Sequence, residues 1–476
     1  MNTFSRISCL VALGGLAAVL AGCASVGPDY EPPAFDDLPE AWSTPALPEV
    51  TEALSPTNGW LTLADPVLDD LLADVRARNC TLAAASATFD ALAARYGASR
   101  AAYFPQLDAQ GTVGLDRQTQ WAHGAGVEVP DNPGGLYSLG LSMGWELDLW
   151  GRVRRSVEAA RAEMDAGAED VRDALISLQA QAALQYLVVR TAQARLQCAR
   201  ENIELQENTL KLAQDRFDAG LTGELDVRQG EMNLAATRAS VPQLQASLEE
   251  ALANLCVLTG RAPGGLEALR EPASIPQPPD GAVPQSLPAD VLRRRPDVRR
   301  AERRLAAQTA AIGIAKADLY PRLSLSGDFS FTSTDAGKFF TGDATDYTLG
   351  PALSWPIFSA GRIRNNIRAQ EAQTRAVLAT YRGTILSALA ECETALANYA
   401  SEHLRAAHLA EARDAARASV RLSEELYRSG LADFQNVLDM QRQLTSYEDA
   451  LASSRGQLAA ALVSILRAFA IAPPAP

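Results

Sequence analysis

Few side chains here are of a type and spacing that could do covalent chemistry. The three histidines, His123, His403 and His408, fall in no HExxH pattern, and neither a GxSxG elbow nor a phosphate loop occurs. His403 and His408 are five apart, a poor spacing for sharing one helix face. Cys80, Cys198, Cys256 and Cys392 stand singly in helical sequence without metal-ligand spacing, and read as small buried apolar residues. No enzyme, cofactor or metal centre is expected. What remains is a set of carboxylates in a stretch written twice: RFDAGLTGELDVRQG at 216–230 and LYRSGLADFQNVLDM at 426–440. Phe217 falls on Tyr427, Gly220 on Gly430, Leu221 on Leu431 and Val227 on Val437, at a constant offset of about 210 residues. Carboxylates such as Asp226 and Asp439 do electrostatic work: brought together they repel one another and prefer water or cations. By position alone they are helix-start acids favoured by the macrodipole.

The elements carrying these stretches are long. Proline is absent from 134–241 and from 357–472, implying helices well beyond the globular average of about 10–14 residues. A continuous helix over 152–217 would reach roughly 100 Å. Val189, Leu196, Ile203, Leu210 and Phe217 form a heptad seam, answered by Val227, Leu234, Val241, Leu248 and Leu255 and, in the second copy, by Val437, Leu444, Leu451, Leu458 and Ile465. The repeated stretch is therefore the turn of an antiparallel coiled-coil hairpin, with Gly220 and Gly430 as left-handed helix caps. Pro242, opposite Ala452, predicts a kink.

Each hairpin is preceded by period-two sequence, the strand signature. In YSLGLSMGWELDLW, 137–150, the odd positions run Tyr137, Leu139, Leu141, Met143, Trp145, Leu147 and Leu149, with Ser, Gly, Glu and Asp between them. Leu319 to Phe331 and Tyr347 to Ile357 alternate likewise. A polar, small-residue face opposite an apolar face bearing Tyr and Trp fits a membrane barrel better than a soluble sandwich. Four strands cannot close, and an open edge in lipid costs several kcal/mol per unpaired group. If the chain spans, it must oligomerise: two copies give eight strands and three give twelve.

The remaining segments fix class and compartment. A formal charge of -14 argues against nucleic acid as a partner, and the basic run RRRPDVRRAERR at 293–304 carries its own acids. Arg6 followed by the apolar stretch from Ile7 to Leu20 is an export signal too short to span a bilayer. Its end, LAGC at 20–23, resembles the bacterial lipobox, which makes Cys23 the acylated first residue of the mature chain; Ala24 suits sorting to the outer membrane. From Gly27 to about Asn58 a Pro-, Asp- and Glu-rich stretch reads as an extended tether.

Taken together, LAGC at 20–23, GPDYEPP at 27–33, VLRRRPDVRRAE at 291–302, IGIAKADLYPRLSL at 312–325 and the two tips resemble the outer membrane factor family, the TolC- and OprM-like channels, in its NodT-type lipoprotein branch. The resemblance covers essentially the whole mature chain. It implies a mainly α fold with membrane β: a homotrimer making a 12-stranded β-barrel that continues into a 12-helix coiled-coil α-barrel. The implied function is the outer-membrane exit duct of a tripartite efflux system for drugs or other small molecules. Its implied partners are a periplasmic adaptor, an inner-membrane pump of the RND type and outer-membrane lipid, with the helical portion in the periplasm. A type I protein secretion channel and a non-channel coiled-coil scaffold lipoprotein are the alternatives. The resemblance also implies a gate made by Asp226, Tyr427, Asp439 and Asn436, with a Tyr427 to Asp226 hydrogen bond in the closed state. Adaptor-contacting tips would be Gly220, Leu221, Thr222, Gly430, Leu431 and Ala432. Asn436 departs from the family by replacing an acid, and Ala432 stands where some members hold an arginine. The expected division is signal 1–22, lipidated tether 23–60, first repeat 61–262 with strands at 103–116 and 137–149 and its tip near 220–226, and equatorial linker 263–286. There follow the second repeat, 287–472, with strands at 319–331 and 347–357 and its tip near 430–436, and a tail at 473–476.

Overall fold

A computed structural model of the chain describes residues 25–34, 39–43, 60–63, 65–116, 134–277 and 287–471. The export signal, Cys23 and His123 lie outside the described residues. The chain divides into two compact units, one drawn from 1–34, 89–167 and 300–381, the other from 35–88, 168–299 and 382–476. Among the described residues no helix is long and apolar enough to cross a membrane.

The first unit holds an antiparallel sheet of β1 (Gln106–Asp116), β2 (Gly134–Leu147), β3 (Arg322–Ser333) and β4 (Thr345–Ser354), in that spatial order. Register turns the alternation along each strand into rows across the sheet. Leu107, Met143, Gly327 and Leu349 make one row, and Ala109, Leu141, Phe329 and Tyr347 the next. Between them run Asp108, Ser142, Asp328 and Thr348. The apolar rows are bare, with Leu107 69%, Leu349 69% and Tyr347 77% exposed, the reverse of a sheet that makes its own core.

Strand bounds shift from the expected ones for a local reason. Residues 103–105 and 319–321 are turns before and at a proline, so the strands begin at Gln106 and Arg322 rather than at 103 and 319. Trp145 and Trp355 close these turns by donating to the carbonyls of Tyr103 and Leu319, at 3.0 and 3.1 Å. Pro356 likewise ends β4 early. Residues 25–34 are extended, as expected of a tether, yet they are docked on this unit. Val26 N donates to Trp150 O at 3.0 Å, Arg155 donates to Asp29 at 2.6 Å, and Tyr30 packs on Ala162, Ala306 and Ala307. Gly27, at φ +99°, lies so close to Gly313 that a Cβ would collide with its backbone.

The helices are α1 (Pro66–Arg78), α2 (Cys80–Ala101), α3 (Arg152–Asp218), α4 (Glu224–Leu258), α5 (Pro288–Arg294), α6 (Pro296–Ala317), α7 (Arg362–Arg428) and α8 (Phe434–Ala468). The Ala-rich sequence that opens each repeat, at 65–100 and from Leu287, reads as one helix, but Asn79 interrupts the first at ψ 122° and Arg295 the second at the same ψ. Each breaking residue also clamps a return helix within the second unit: Asn79 donates to Leu258 O at 2.8 Å and Arg295 to Ala468 O at 2.7 Å. α4 continues through Pro242, which withholds one backbone donor without ending the helix. Cys256 and Cys392 are buried and Cys198 is half-buried, but Cys80 is exposed, because it opens α2 on the outward side of Asn79.

The core of the second unit gathers Trp60, Tyr186, Leu255, Leu462, Ile465 and Phe469. The seams of α4 and α8 follow the apolar heptads, with Val227, Leu234, Leu255, Val437, Leu444 and Ile465 buried. α3 does not. Over 199–213 its buried stripe is Ala199, Asn202, Gln206, Thr209 and Ala213, while Ile203 and Leu210 are half-buried. The polar stripe is met by α8: Gln441 donates to Thr209 Oγ1 at 2.6 Å, Thr445 to Asn202 at 2.9 Å, and Asn202 to Glu448 at 2.7 Å. Arg417 of α7 completes this network on Glu448 at 2.5 Å, so the buried charge is paired.

Candidate gate at the hairpin tips

Both tips lie in the second unit and close by the same backbone device. Gly220 and Gly430 stand at φ +74° and +76°; behind them Leu221 N donates to Arg216 O at 2.9 Å and Leu431 N to Leu426 O at 2.8 Å. This is the six-to-one bond of a glycine-terminated helix, and a side chain at either glycine would strain the turn.

The contents differ between copies. Tyr427 is buried at the end of α7 in a cluster with Ala213, Phe434, Val437 and Leu438. Its hydroxyl donates to Asp226 Oδ2 at 3.1 Å, joining the second tip to the start of α4. Burial, and then the neighbouring Asp226 carboxylate, raise the phenol above its usual proton affinity, so it remains a donor throughout the neutral range. Arg216 packs its guanidinium on the Tyr427 ring, 4.8 Å from the centroid, and donates to Arg428 O at 3.0 Å. A phenol-to-carboxylate bond of this kind contributes about 1 to 2 kcal/mol, and a partly exposed cation on an aromatic face about 0.5 to 1 kcal/mol. The contact is therefore firm enough to hold one arrangement and weak enough to be displaced.

Asp439 stands apart from that pair. Its Oδ1 accepts from Gln435 at 2.9 Å and pairs with Arg442 at 3.3 Å, while Arg442 Nε donates to Asn233 at 3.2 Å. Asp439 thus carries a guanidinium of its own chain. Asn436 is exposed, with its backbone N–H donating to Asp433 O at 3.1 Å. Leu221 and Leu431 are 66% and 77% exposed, and Thr222 and Ala432 are half-buried between them and the helix starts.

Sequence reasoning missed Arg216, Phe434 and Arg442. A signal existed in the alignment of the two copies: at the common offset Arg216 meets Leu426, Glu224 meets Phe434 and Met232 meets Arg442. These pairs, like Asp218 with Arg428 and Arg228 with Leu438, mark where the tips were made unequal. Among the described residues no group of His, Cys, Asp and Glu is arranged to hold a metal ion.

Comparison with known proteins places this geometry in a family. The profile of the family described as "Outer membrane efflux protein" matches residues 71–261 and 287–470. The chain is 31% identical over 458 residues to the outer membrane protein OprJ of Pseudomonas aeruginosa, spanning 95% of this chain and 94% of OprJ. It is also 31% identical over 472 residues to the probable efflux pump outer membrane protein TtgC of Pseudomonas putida, with 94% and 92% covered. The solved structure of the outer-membrane channel OprN superposes with a TM-score of 0.86 at 34% identity, covering 94% of this chain and 99% of OprN. These relatives are transport conduits rather than enzymes, and the chain belongs to the outer membrane efflux protein family.

Proposed function

We propose that three copies of this chain form the outer-membrane exit duct of a tripartite efflux system, passing small molecules from an inner-membrane pump of the RND type through a periplasmic adaptor to the exterior. The sheet carries this reading. Its apolar rows are largely exposed, its alternate rows are mostly Ser, Thr, Asp, Gln and Gly, and β1 and β4 are its two edges. A lipid-facing exterior, a wet interior and closure by neighbouring copies answer all three features at once. Three copies supply twelve strands and twelve long helices. Cys23 as a lipid anchor is supported by the docking of Val26, three residues further on, against Trp150 between β2 and α3. Relatives named for efflux favour small molecules over secreted proteins as cargo.

The tips act as the gate in this reading. The Tyr427 to Asp226 bond holds the second hairpin against the first, Asp439 and Asn436 line the constriction, and an adaptor gripping Leu221, Thr222, Leu431 and Ala432 around Gly220 and Gly430 shifts the balance toward opening. The test is single-channel conductance in planar bilayers. The double substitution Tyr427→Phe with Asp439→Ala should raise conductance several-fold, and a value equal to that of the parent chain would remove the gating assignment.

A further inference from the structure

The connection between β3 and β4 is short, ordered and aromatic. Its backbone is fixed by its own side chains: Asp335 accepts from Gly337 N at 2.9 Å, Ser333 Oγ donates to Asp335 O at 2.9 Å, and Thr341 Oγ1 donates to Lys338 O at 2.8 Å. Two 3-10 turns, Ala336–Lys338 and Gly342–Ala344, flank the pair Phe339 and Phe340. The Phe339 centroid lies 4.8 Å from Phe340, 6.3 Å from Phe331 and 6.4 Å from Tyr137; Phe340 lies 5.6 Å from Phe331, and Phe331 5.3 Å from Phe329. Tyr137, Phe329 and Phe331 stand in the apolar rows of the sheet. The loop thus folds back over the apolar face, away from the Ser138 and Thr332 row.

We infer that this loop is a lipid-seated aromatic clamp, whose partner is the membrane itself at the boundary between hydrocarbon and headgroups. The five rings continue the apolar rows, with Ser333 and Thr345 as register partners of Tyr137 and Phe331, yet Phe340 is 74% exposed within the chain. Full exposure of such a ring to water forgoes roughly 2 kcal/mol. Aromatic side chains gather at this depth of a membrane barrel because one side of the ring meets hydrocarbon while flanking groups stay wet. Here the wet flank is Lys338, Thr341 and Asp343, all exposed. A clamp at this end of β3 and β4 fixes how deeply the sheet sits, and it draws the loop sideways into lipid. The inference rests on the reading that the apolar rows face lipid.

The test uses the full-length lipoprotein in phosphatidylcholine vesicles. Phe340→Cys, Leu349→Cys and Asp343→Cys, each combined with Cys80→Ser, are spin-labelled, and the collision rate with oxygen is divided by that with a water-soluble nickel chelate. The label at 340 should match that at 349, both giving a ratio roughly tenfold above the label at 343. An oxygen-favoured 349 with a nickel-favoured 340 overturns the clamp and leaves the membrane reading standing. Nickel-favoured labels at both sites overturn the two together. A label at 340 shielded from both reagents shows a protein surface over the loop and also overturns the clamp.

Discussion

In the proposed gate, Arg442 changes what the constriction is made of. A ring of carboxylates alone repels itself and attracts cations, whereas a ring in which each Asp439 holds a guanidinium at 3.3 Å has little net charge to offer. The pair is about half exposed, so its contribution to stability is small, well under 1 kcal/mol. Its effect belongs to the field along the pore. We expect Arg442→Gln, placed in a Tyr427→Phe background so that current flows, to raise the preference for cations over anions severalfold. The reversal potential under a potassium chloride gradient measures this, and an unchanged potential would show that Asp439 does not face the permeating ions. At this scale the sequence alone was a partial guide. Tyr427 and Asp226 were identifiable by resemblance, but no periodicity marks Arg216 or Arg442, because their roles depend on which side of a helix end each guanidinium can reach.

Asn79 and Arg295 show how one element plan is kept with different chemistry. The first caps α2 by accepting from Leu82 N at 2.9 Å and holds the end of α4; the second holds the end of α8 and is itself held by Asp297 and Glu391, each at 2.7 Å. An amide suffices in one repeat where the other uses a charge network. Asn79→Ala is expected to destabilise the fold by about 1 to 2 kcal/mol through the lost cap, seen as a lower thermal unfolding midpoint in detergent. Arg295→Met should cost more, about 1 to 3 kcal/mol, because it leaves the buried Ala468 carbonyl with only the weak Cys392 thiol donor and takes the guanidinium away from Asp297 and Glu391. The proline in RRRP already argued that Arg295 is extended, and an asparagine before a helical run argued for a cap at Asn79. Against these local signals, the Ala-rich sequence of each repeat reads as uninterrupted helix. The strand rows and the hairpin turns were legible because period two and a glycine after a heptad are local rules. The polar stripe of α3 was not, since Asn202, Gln206 and Thr209 are buried only because α7 and α8 arrive with Arg417, Gln441 and Glu448.

One chain alone leaves β1 and β4 as edges and its apolar rows bare, so its folded form and its assembly are not separable questions. We expect the detergent-extracted protein to have the mass of three chains by native mass spectrometry and to run as a heat-sensitive species on SDS gels. A two-chain mass would redirect the closure to eight strands, and a single-chain mass would favour a scaffold. The polar seam between α3 and α8 has a consequence for such an assembly when it opens. Parting an apolar seam hydrates hydrocarbon and so carries a large heat-capacity change, which makes the equilibrium curve steeply with temperature. Parting layers such as Asn202 with Thr445, or Thr209 with Gln441, instead exchanges one set of hydrogen bonds for another made with water. The two contributions to heat capacity have opposite signs, so each polar layer flattens the temperature dependence that a wholly apolar seam would give.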